Sequence, residues 1–202
     1  MLKVAVFVSG RGSNLRTILN STKLSKLIRV QAVISNKTDC SAFNIADEYS
    51  ISKFVVGNEE KSIPYNNISQ FLKSLKIDLV VLAGFLKMIP NNMIVDFRNR
   101  IINIHPALLP SFGGKGMYGM NVHKAVYESS AQVSGATVHF VDETYDTGKI
   151  ISQSCIDISD VASPEEIAER VLGVEHKLLP YVIEKFSLNK IIISNGRVKV
   201  LP

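Results

Sequence analysis

The sequence predicts an α/β protein with a Rossmann-like fold, in which a mostly parallel central sheet carries helices on both faces and the C-terminal part is antiparallel. Before residue 110, short uninterrupted apolar runs alternate with amphipathic helical patterns, which is typical of β-α-β units with both sheet faces covered. After residue 110, the pattern changes to a Gly-rich segment followed by paired strands. We expect a single domain, 1–202, with halves 1–110 and 111–202.

The first half is predicted to contain five strands with helices between them. Continuous apolar runs predict the strands, and apolar residues at i, i+3 and i+4 predict the helices. The strands are Lys3–Val8, Val30–Ile34, Phe54–Val56, Leu79–Ala83 and Ile101–Ile104. The helical segments are one containing Leu15, Ile18 and Leu19, a second over Ser41–Tyr49, and a third with the stripe Ile68, Phe71, Leu72 and Leu75.

The second half is predicted to combine a loop, two helices and two pairs of strands. A capping box at 163–166, with Pro164 in the first helical position, starts a long helix. The pair Asn195-Gly196 suits the positive φ angles of a type I′ turn in a terminal hairpin. In order, the elements are a loop over 111–121, a helix over Val122–Ser129, strands over Ala136–Val141 and Ile150–Ile158, the long helix, and a hairpin of Ile191–Ser194 with Arg197–Leu201.

Composition and charge exclude several classes of protein. Hydrophobic residues make up 46% of the 202 residues, which provides a core and excludes a disordered chain. The net charge is +5, but the basic residues are scattered, so we expect no nucleic-acid partner. No apolar stretch approaches the ~18 residues of a membrane helix, and the two cysteines lie far apart, so we expect no membrane partner and a reducing, cytoplasmic location. No His or Cys spacing indicates a metal site.

The turn Ser9–Asn14 lies between the first predicted strand and the first helix. Backbone N–H groups at such a helix N-terminus can bind an anion. The pattern is G-x-G-S-N, and Leu15 stands where a dinucleotide fingerprint has its third glycine. We therefore expect one phosphate, held by backbone amides and the side chains of Ser13 and Asn14. The alternative is an ordinary β-α turn in which Ser13 caps the helix.

Asn103 and His105 end the fifth predicted strand and point to the same face of the sheet. Ligands of open α/β sheets bind at the carboxyl ends of the strands. An amide and an imidazole side by side can stabilise a developing oxyanion, and imidazole can exchange a proton near neutral pH. The alternative is a histidine at a strand end that is capped by a backbone carbonyl.

The acidic loop at 142–148 offers a carboxylate partner for His105. Asp142, Glu143 and Asp146 place three acids within five residues. A carboxylate near His105 would raise the pKa of that imidazole. The alternative is a solvated acidic turn. The remaining histidines are interpreted as structural: they are His123, His139 and His176.

Four motifs occur in an order that matches one known family. They are VSGRGSN, VVLAGFLKMIP, NIHPALLPSF and GATVHFVDETYDTG. Together they resemble the phosphoribosylglycinamide formyltransferase family, the folate-dependent enzymes of purine synthesis, over essentially the whole chain. The G-x-G-S-N turn ahead of NIHP favours this branch over other users of 10-formyltetrahydrofolate.

The resemblance implies a role for each matching position. The family's catalytic Asn, His and Asp correspond to Asn103, His105 and Asp146. Positions that would bind the nucleotide are Gly12, Ser13 and Asn14 for the phosphate and Glu175 for the ribose. Positions that would bind folate are Leu86, Lys87, Met88 and Ile89, together with Asn103 and Lys61. Lys87 stands where many members have Arg, and Lys61 corresponds to an Arg that some members place near the folate tail, so contacts to that tail would differ.

The resemblance also implies a reaction. The formyl group of 10-formyltetrahydrofolate would pass directly to the amine of 5′-phosphoribosylglycinamide through a tetrahedral oxyanion, with no metal. Asn103 would donate a hydrogen bond to the oxyanion, and Asp146 would keep His105 protonated, with a raised pKa. The alternatives are methionyl-tRNA formyltransferase, which has an additional C-terminal domain, a formyltetrahydrofolate deformylase-like hydrolase, which has an extra N-terminal domain, and a non-catalytic nucleotide-binding module. We expect small-molecule substrates only and a monomer or homodimer.

Overall fold

The computed structural model describes residues 1–202. Nine strands and six α-helices follow one another along the chain. The strands are β1 (Leu2–Val8), β2 (Ile28–Ser35), β3 (Ser52–Val55), β4 (Leu79–Leu82), β5 (Ile101–His105), β6 (Val133–Phe140), β7 (Ile150–Asp157), β8 (Ile191–Ser194) and β9 (Arg197–Val200). The helices are α1 (Ser13–Asn20), α2 (Ala42–Glu48), α3 (Ile68–Ser74), α4 (Asn91–Asp96), α5 (Met120–Glu128) and α6 (Pro164–Ser187).

The strands form one large and one small sheet, which confirms the predicted fold class. The large sheet has seven strands in the order β3-β2-β1-β4-β5-β6-β7, and β8 pairs with β9. Strand β1 runs parallel to β2 and β4, and β2 runs parallel to β3. The pairs β6–β7 and β8–β9 are antiparallel. No helix is both long and apolar enough to cross a membrane.

The chain divides into two compact units, Met1–Ile102 and Asn103–Pro202. In the first unit, Val4–Val8 of β1 and all of β4 are buried, which explains why their sequences are apolar at every position. Helix α4 was not predicted, because its six residues after Pro90 are too few to show a helical period. The expectation of a single domain with halves divided at residue 110 stays a prediction.

The second unit follows the predicted order, but α5 begins two residues and β6 three residues earlier than predicted. Helix α5 begins at Met120, not at Val122, so the loop predicted over 111–121 ends two residues early. The chain enters α5 through Gly119, whose φ is 54°. A glycine in that conformation lets the helix start without the Ser, Thr, Asp or Asn cap that a sequence search looks for.

The predicted capping box and terminal hairpin are both present. The Glu166 N–H donates to Ser163 Oγ at 3.3 Å, and the Glu166 carboxylate accepts from the Ala162 N–H at 3.0 Å. The first bond satisfies an N–H group that the start of a helix leaves unpaired, and the second ties the Glu166 side chain to the residue before the N-cap. In the hairpin, Asn195 and Gly196 have φ angles of 51° and 76°. Positive φ at both positions is what a type I′ turn requires.

Candidate active site

The glycine turn of the first unit ends at the N-terminus of α1. Gly12 is the N-cap residue with φ 76°, and no side chain caps the helix. The alternative interpretation, in which Ser13 caps α1, is therefore wrong. A Cβ atom on Gly12 would lie 2.7 Å from Cβ of Ala42 at the start of α2. Both the backbone angle and the limited space therefore require glycine at this position. Since no side chain caps α1, its first N–H groups are directed at the turn without a side-chain acceptor.

The start of α2 holds this turn from behind. The Gly10 carbonyl accepts a hydrogen bond from the Ala42 N–H at 3.2 Å. The Cys40 thiol and the Ser41 hydroxyl also donate to that carbonyl, each at 3.4 Å. Residues 40–42 thus fix the backbone of the turn, as a preformed anion site requires.

Ser9 connects the turn to the segment that follows β4. Its hydroxyl donates to Oδ1 of Asn36 at 2.5 Å and accepts from the Leu86 N–H at 2.9 Å. The Ser9 N–H donates to the Gly84 carbonyl at 3.1 Å. Ser9 is buried, so these bonds fix where the segment Leu86–Ile89 begins.

Five of the six predicted folate-binding residues lie in the first unit, and the sixth, Asn103, belongs to the second unit. Leu86, Lys87 and Met88 are exposed, whereas Ile89 is buried. Lys61 is exposed in the turn after β3, and no hydrogen bond or ion pair joins it to residues 86–89. The segment 86–89 is therefore exposed at its first three residues only, and Lys61 is an exposed lysine of a different turn.

In the second unit, three predicted catalytic residues come together with a histidine whose sequence pattern indicates only a structural role. Asn103 and His105 lie on β5, Asp146 lies in the loop between β6 and β7, and His139 lies on β6. We call these four residues the histidine cluster. Glu175, the predicted ribose contact, lies half-buried in the middle of α6.

His105 is buried, with 3% of its surface exposed. Its Nε2–H donates to the Phe112 carbonyl at 2.8 Å, so its Nδ1 faces Oδ2 of Asp146, 3.6 Å away. Burial lowers the pKa of His105 below its usual value, and Asp146 and the Phe112 carbonyl offset this effect only in part. The prediction of a raised pKa is therefore wrong, because loss of water around the imidazolium outweighs one carboxylate at that distance.

Asp146 is held between the two imidazoles. Its Oδ2 accepts from the Gly114 N–H at 2.9 Å, and its Oδ1 lies 3.6 Å from Nε2 of His139. Burial pushes the pKa of Asp146 upward, but His139, the charge of His105 and the Gly114 N–H together keep it below its usual value. Asp146 is therefore an anion at neutral pH, and the interpretation of the loop as a merely solvated turn does not apply to it.

His139 fixes the orientation of the Asn103 amide. With Nδ1–H donating to the Phe140 carbonyl at 2.8 Å, Nε2 is left to accept from Nδ2 of Asn103 at 3.1 Å. Its interpretation as structural overlooked the sheet order. Strands β5 and β6 are neighbours, so polar side chains on both can meet at one edge.

A third imidazole lies close to the cluster. His123 on α5 is 6% exposed, and its Nδ1 has no hydrogen-bond partner. Burial, followed by the charge of His105, lowers the pKa of His123. The structure contains no group of three or more His, Cys, Asp or Glu residues placed to hold a metal ion.

Comparison with known proteins identifies the family. Residues 2–183 match the family model described as formyl transferase. The chain belongs to the formyl transferase family. It is 34% identical to a phosphoribosylglycinamide formyltransferase of Haemophilus influenzae over 191 residues, which is 93% of this chain and 88% of that protein.

Two further members of the family extend the comparison. A chloroplastic phosphoribosylglycinamide formyltransferase of Arabidopsis thaliana is 45% identical over 187 residues, which is 90% of this chain and 64% of that protein. This chain thus spans less than two thirds of the plant relative's length. The crystal structure of a phosphoribosylglycinamide formyltransferase from Anaplasma phagocytophilum superposes with a TM-score of 0.89 at 34% identity, covering 100% of this chain and 95% of that one.

Proposed function

We propose that the chain transfers the formyl group of 10-formyltetrahydrofolate to the amine of 5′-phosphoribosylglycinamide, as a step of purine synthesis. The observation that carries this proposal is the histidine cluster: a fixed amide, a buried imidazole and an ionised carboxylate at the end of β5. Membership of the formyl transferase family supports the same chemistry.

The amine of the nucleotide attacks the formyl carbon, and a tetrahedral oxyanion forms. One amide hydrogen of Asn103 is used by His139, so the other is available to the oxyanion. Because the His139 bond sets the orientation of that donor before substrate binds, little reorganisation is needed in the transition state. Losing one donor of this kind typically costs about 10²–10³-fold in rate.

His105 carries the proton of the reaction. Its lowered pKa leaves the ring neutral near pH 7, and the Nε2–H bond to Phe112 leaves Nδ1 as the basic atom. Nδ1 takes the proton that the attacking amine loses, and the resulting imidazolium is stabilised by Asp146. The same proton then goes to N10 of the folate as the carbon–nitrogen bond breaks, so that tetrahydrofolate leaves neutral at that atom.

Substrate binding is assigned mainly to residues outside the cluster, and Asn103 is the one cluster member that also contacts folate. Gly12, Ser13 and Asn14 bind the phosphate, chiefly through the N–H groups at the start of α1. Glu175 binds the ribose. Folate is bound by Leu86, Lys87, Met88 and Ile89, with Lys61 and Asn103 as further contacts. Binding energy from these remote groups positions the amine and the formyl carbon for reaction.

The location and oligomeric state of the protein complete the proposal. We expect the protein to act on small molecules as a monomer or homodimer in the cytoplasm, without a metal. Its two cysteines are unpaired, which is in keeping with a reducing compartment.

The test uses the purified chain with both substrates and follows the release of tetrahydrofolate. We expect release to depend on 5′-phosphoribosylglycinamide. Release of formate without that nucleotide would instead identify a deformylase-like hydrolase. Binding of the nucleotide with no turnover of folate would identify a non-catalytic nucleotide-binding module.

A further inference from the structure

Residues 106–114 connect His105 to the backbone groups that hold the histidine cluster. We call these residues the connection loop. Two contacts to the cluster come from its backbone: the Phe112 carbonyl accepts from Nε2 of His105, and the Gly114 N–H donates to Asp146. The position of this backbone therefore decides where the imidazole and the carboxylate lie relative to each other.

A buried threonine on β6 fixes the beginning of the connection loop. The hydroxyl of Thr137 donates to the Ala107 carbonyl at 2.7 Å and accepts from the Leu109 N–H at 3.0 Å. Thr137 is completely buried. Since water cannot replace these bonds there, the two backbone groups depend on this one hydroxyl.

A glutamine on β7 completes the arrangement. Gln153 is the direct cross-strand partner of Thr137. Its Nε2 donates to the Leu109 carbonyl at 2.9 Å and to the Thr137 hydroxyl at 3.0 Å. The hydroxyl thus makes one donated and two accepted bonds, which is its full capacity. Its orientation is therefore fixed, as are both polar backbone groups of Leu109.

We propose that Thr137 and Gln153 are positioning residues for the formyl transfer: they fix the connection loop and thereby hold the His105 imidazole and the Asp146 carboxylate in their positions relative to each other. This inference rests on the proposed function and deepens it, since neither side chain belongs to the histidine cluster. A merely structural role would affect folding alone. A positioning role affects turnover and the environment of His105 in a protein that remains folded.

The first variant is Thr137→Val, which keeps the shape of the side chain and removes the hydroxyl. We expect kcat to fall about 10²-fold with both KM values little changed, because small displacements of reacting groups have costs of that size. Thr137→Ser restores the hydroxyl and should restore most of kcat. The control is Ser134→Ala, since Ser134 is a buried hydroxyl of the same strand without a hydrogen-bond partner.

Two readouts do not depend on activity. The Leu109 amide should be protected from hydrogen exchange in the wild type and should lose that protection in Thr137→Val. The pKa of His105, followed by NMR, should change in this variant, because both the burial that lowers it and the Phe112 carbonyl that raises it depend on the position of the connection loop. The other titrating groups that act on His105, namely Asp146, His139 and His123, are the same in both proteins.

Gln153 provides a second test if Thr137→Val does not fold. Gln153→Leu removes the donor to the Leu109 carbonyl at an exposed position of β7, and we expect a smaller fall in kcat with partial loss of Leu109 protection. Ser152→Ala is the matched control on the same strand. The proposal is overturned if folded Thr137→Val or Gln153→Leu keeps wild-type kcat and Leu109 protection, or if Ser134→Ala loses as much kcat as Thr137→Val. Absence of formyl transfer by the wild type would contradict the proposed function, and Leu109 exchange would then show only whether Thr137 and Gln153 fix the connection loop.

Discussion

The glycine turn before α1 and the histidine cluster after β5 are built in different ways. The turn consists of consecutive residues whose backbone N–H groups form the proposed anion site. Its conformation requires glycine at position 12, because φ is 76° and Ala42 leaves no space for a Cβ atom. The cluster consists of side chains from β5, β6 and a loop, and its chemistry depends on burial. Substitutions in the turn should therefore change substrate binding, whereas substitutions in the cluster should change turnover.

The sharpest test of this difference is His105→Ala. We expect kcat to fall at least about 10²–10³-fold, the usual cost of losing a group that acts on transition-state charge, with little change in either KM. His176→Ala is the control, because that histidine lies on α6 outside the cluster. Steady-state kinetics with each substrate varied separately measures the effect. A rise in KM at constant kcat would make His105 a binding residue.

The complementary substitution in the turn is Gly12→Ala. A methyl group there would collide with Ala42, and φ would remain in the left-handed region, so we expect a loss of stability of about 1–3 kcal/mol. The KM for the nucleotide should rise more than kcat falls. Gly10→Ala is the control, since no atom lies within 4 Å of its added Cβ. Thermal unfolding and kinetics give both quantities, and equal effects of the two variants would contradict this account.

These two regions also differ in how far the sequence predicts them. The turn, the parallel strands and the terminal hairpin follow from local signals: glycines, apolar runs and the pair Asn195-Gly196. The role of His139 does not, because it depends on which strands are neighbours. The lowered pKa of His105 also escaped prediction, since the acidic loop is visible in the sequence and the burial of the ring is not.

Asp146→Asn separates the charge of the cluster from its shape. Asp146 raises the pKa of His105 against the larger effect of burial, so removing its charge should lower that pKa further. Because the imidazolium that forms during transfer is no longer stabilised by the carboxylate of Asp146, kcat should fall, while affinity for the nucleotide should stay the same. NMR titration of His105 in both proteins is the measurement. An unchanged pKa would mean that Asp146 only organises its loop.

The smallest expected effect is on stability in mild acid. The pKa values of His105, His123 and His176 all lie below the usual 6.5, with burial as the first cause. The unfolded chain then binds more protons than the folded one below that pH, so this contribution is complete above about pH 6.5 and is lost as the pH falls through the folded pKa values. Urea unfolding between about pH 5 and pH 8 should show stability rising with pH. A stability that rises toward acid pH would contradict burial as the dominant effect.

The central claim is that the cluster passes a formyl group directly from folate to the amine of the nucleotide. The most direct measurement uses 10-formyltetrahydrofolate labelled with ¹³C and deuterium in the formyl group, and follows both labels by NMR. The account predicts that both labels appear together in formylated phosphoribosylglycinamide, in an amount equal to the tetrahydrofolate released, and that in His105→Ala this signal appears more slowly by the factor expected for kcat. Labels that appear as free formate, at a rate independent of the nucleotide, would contradict it.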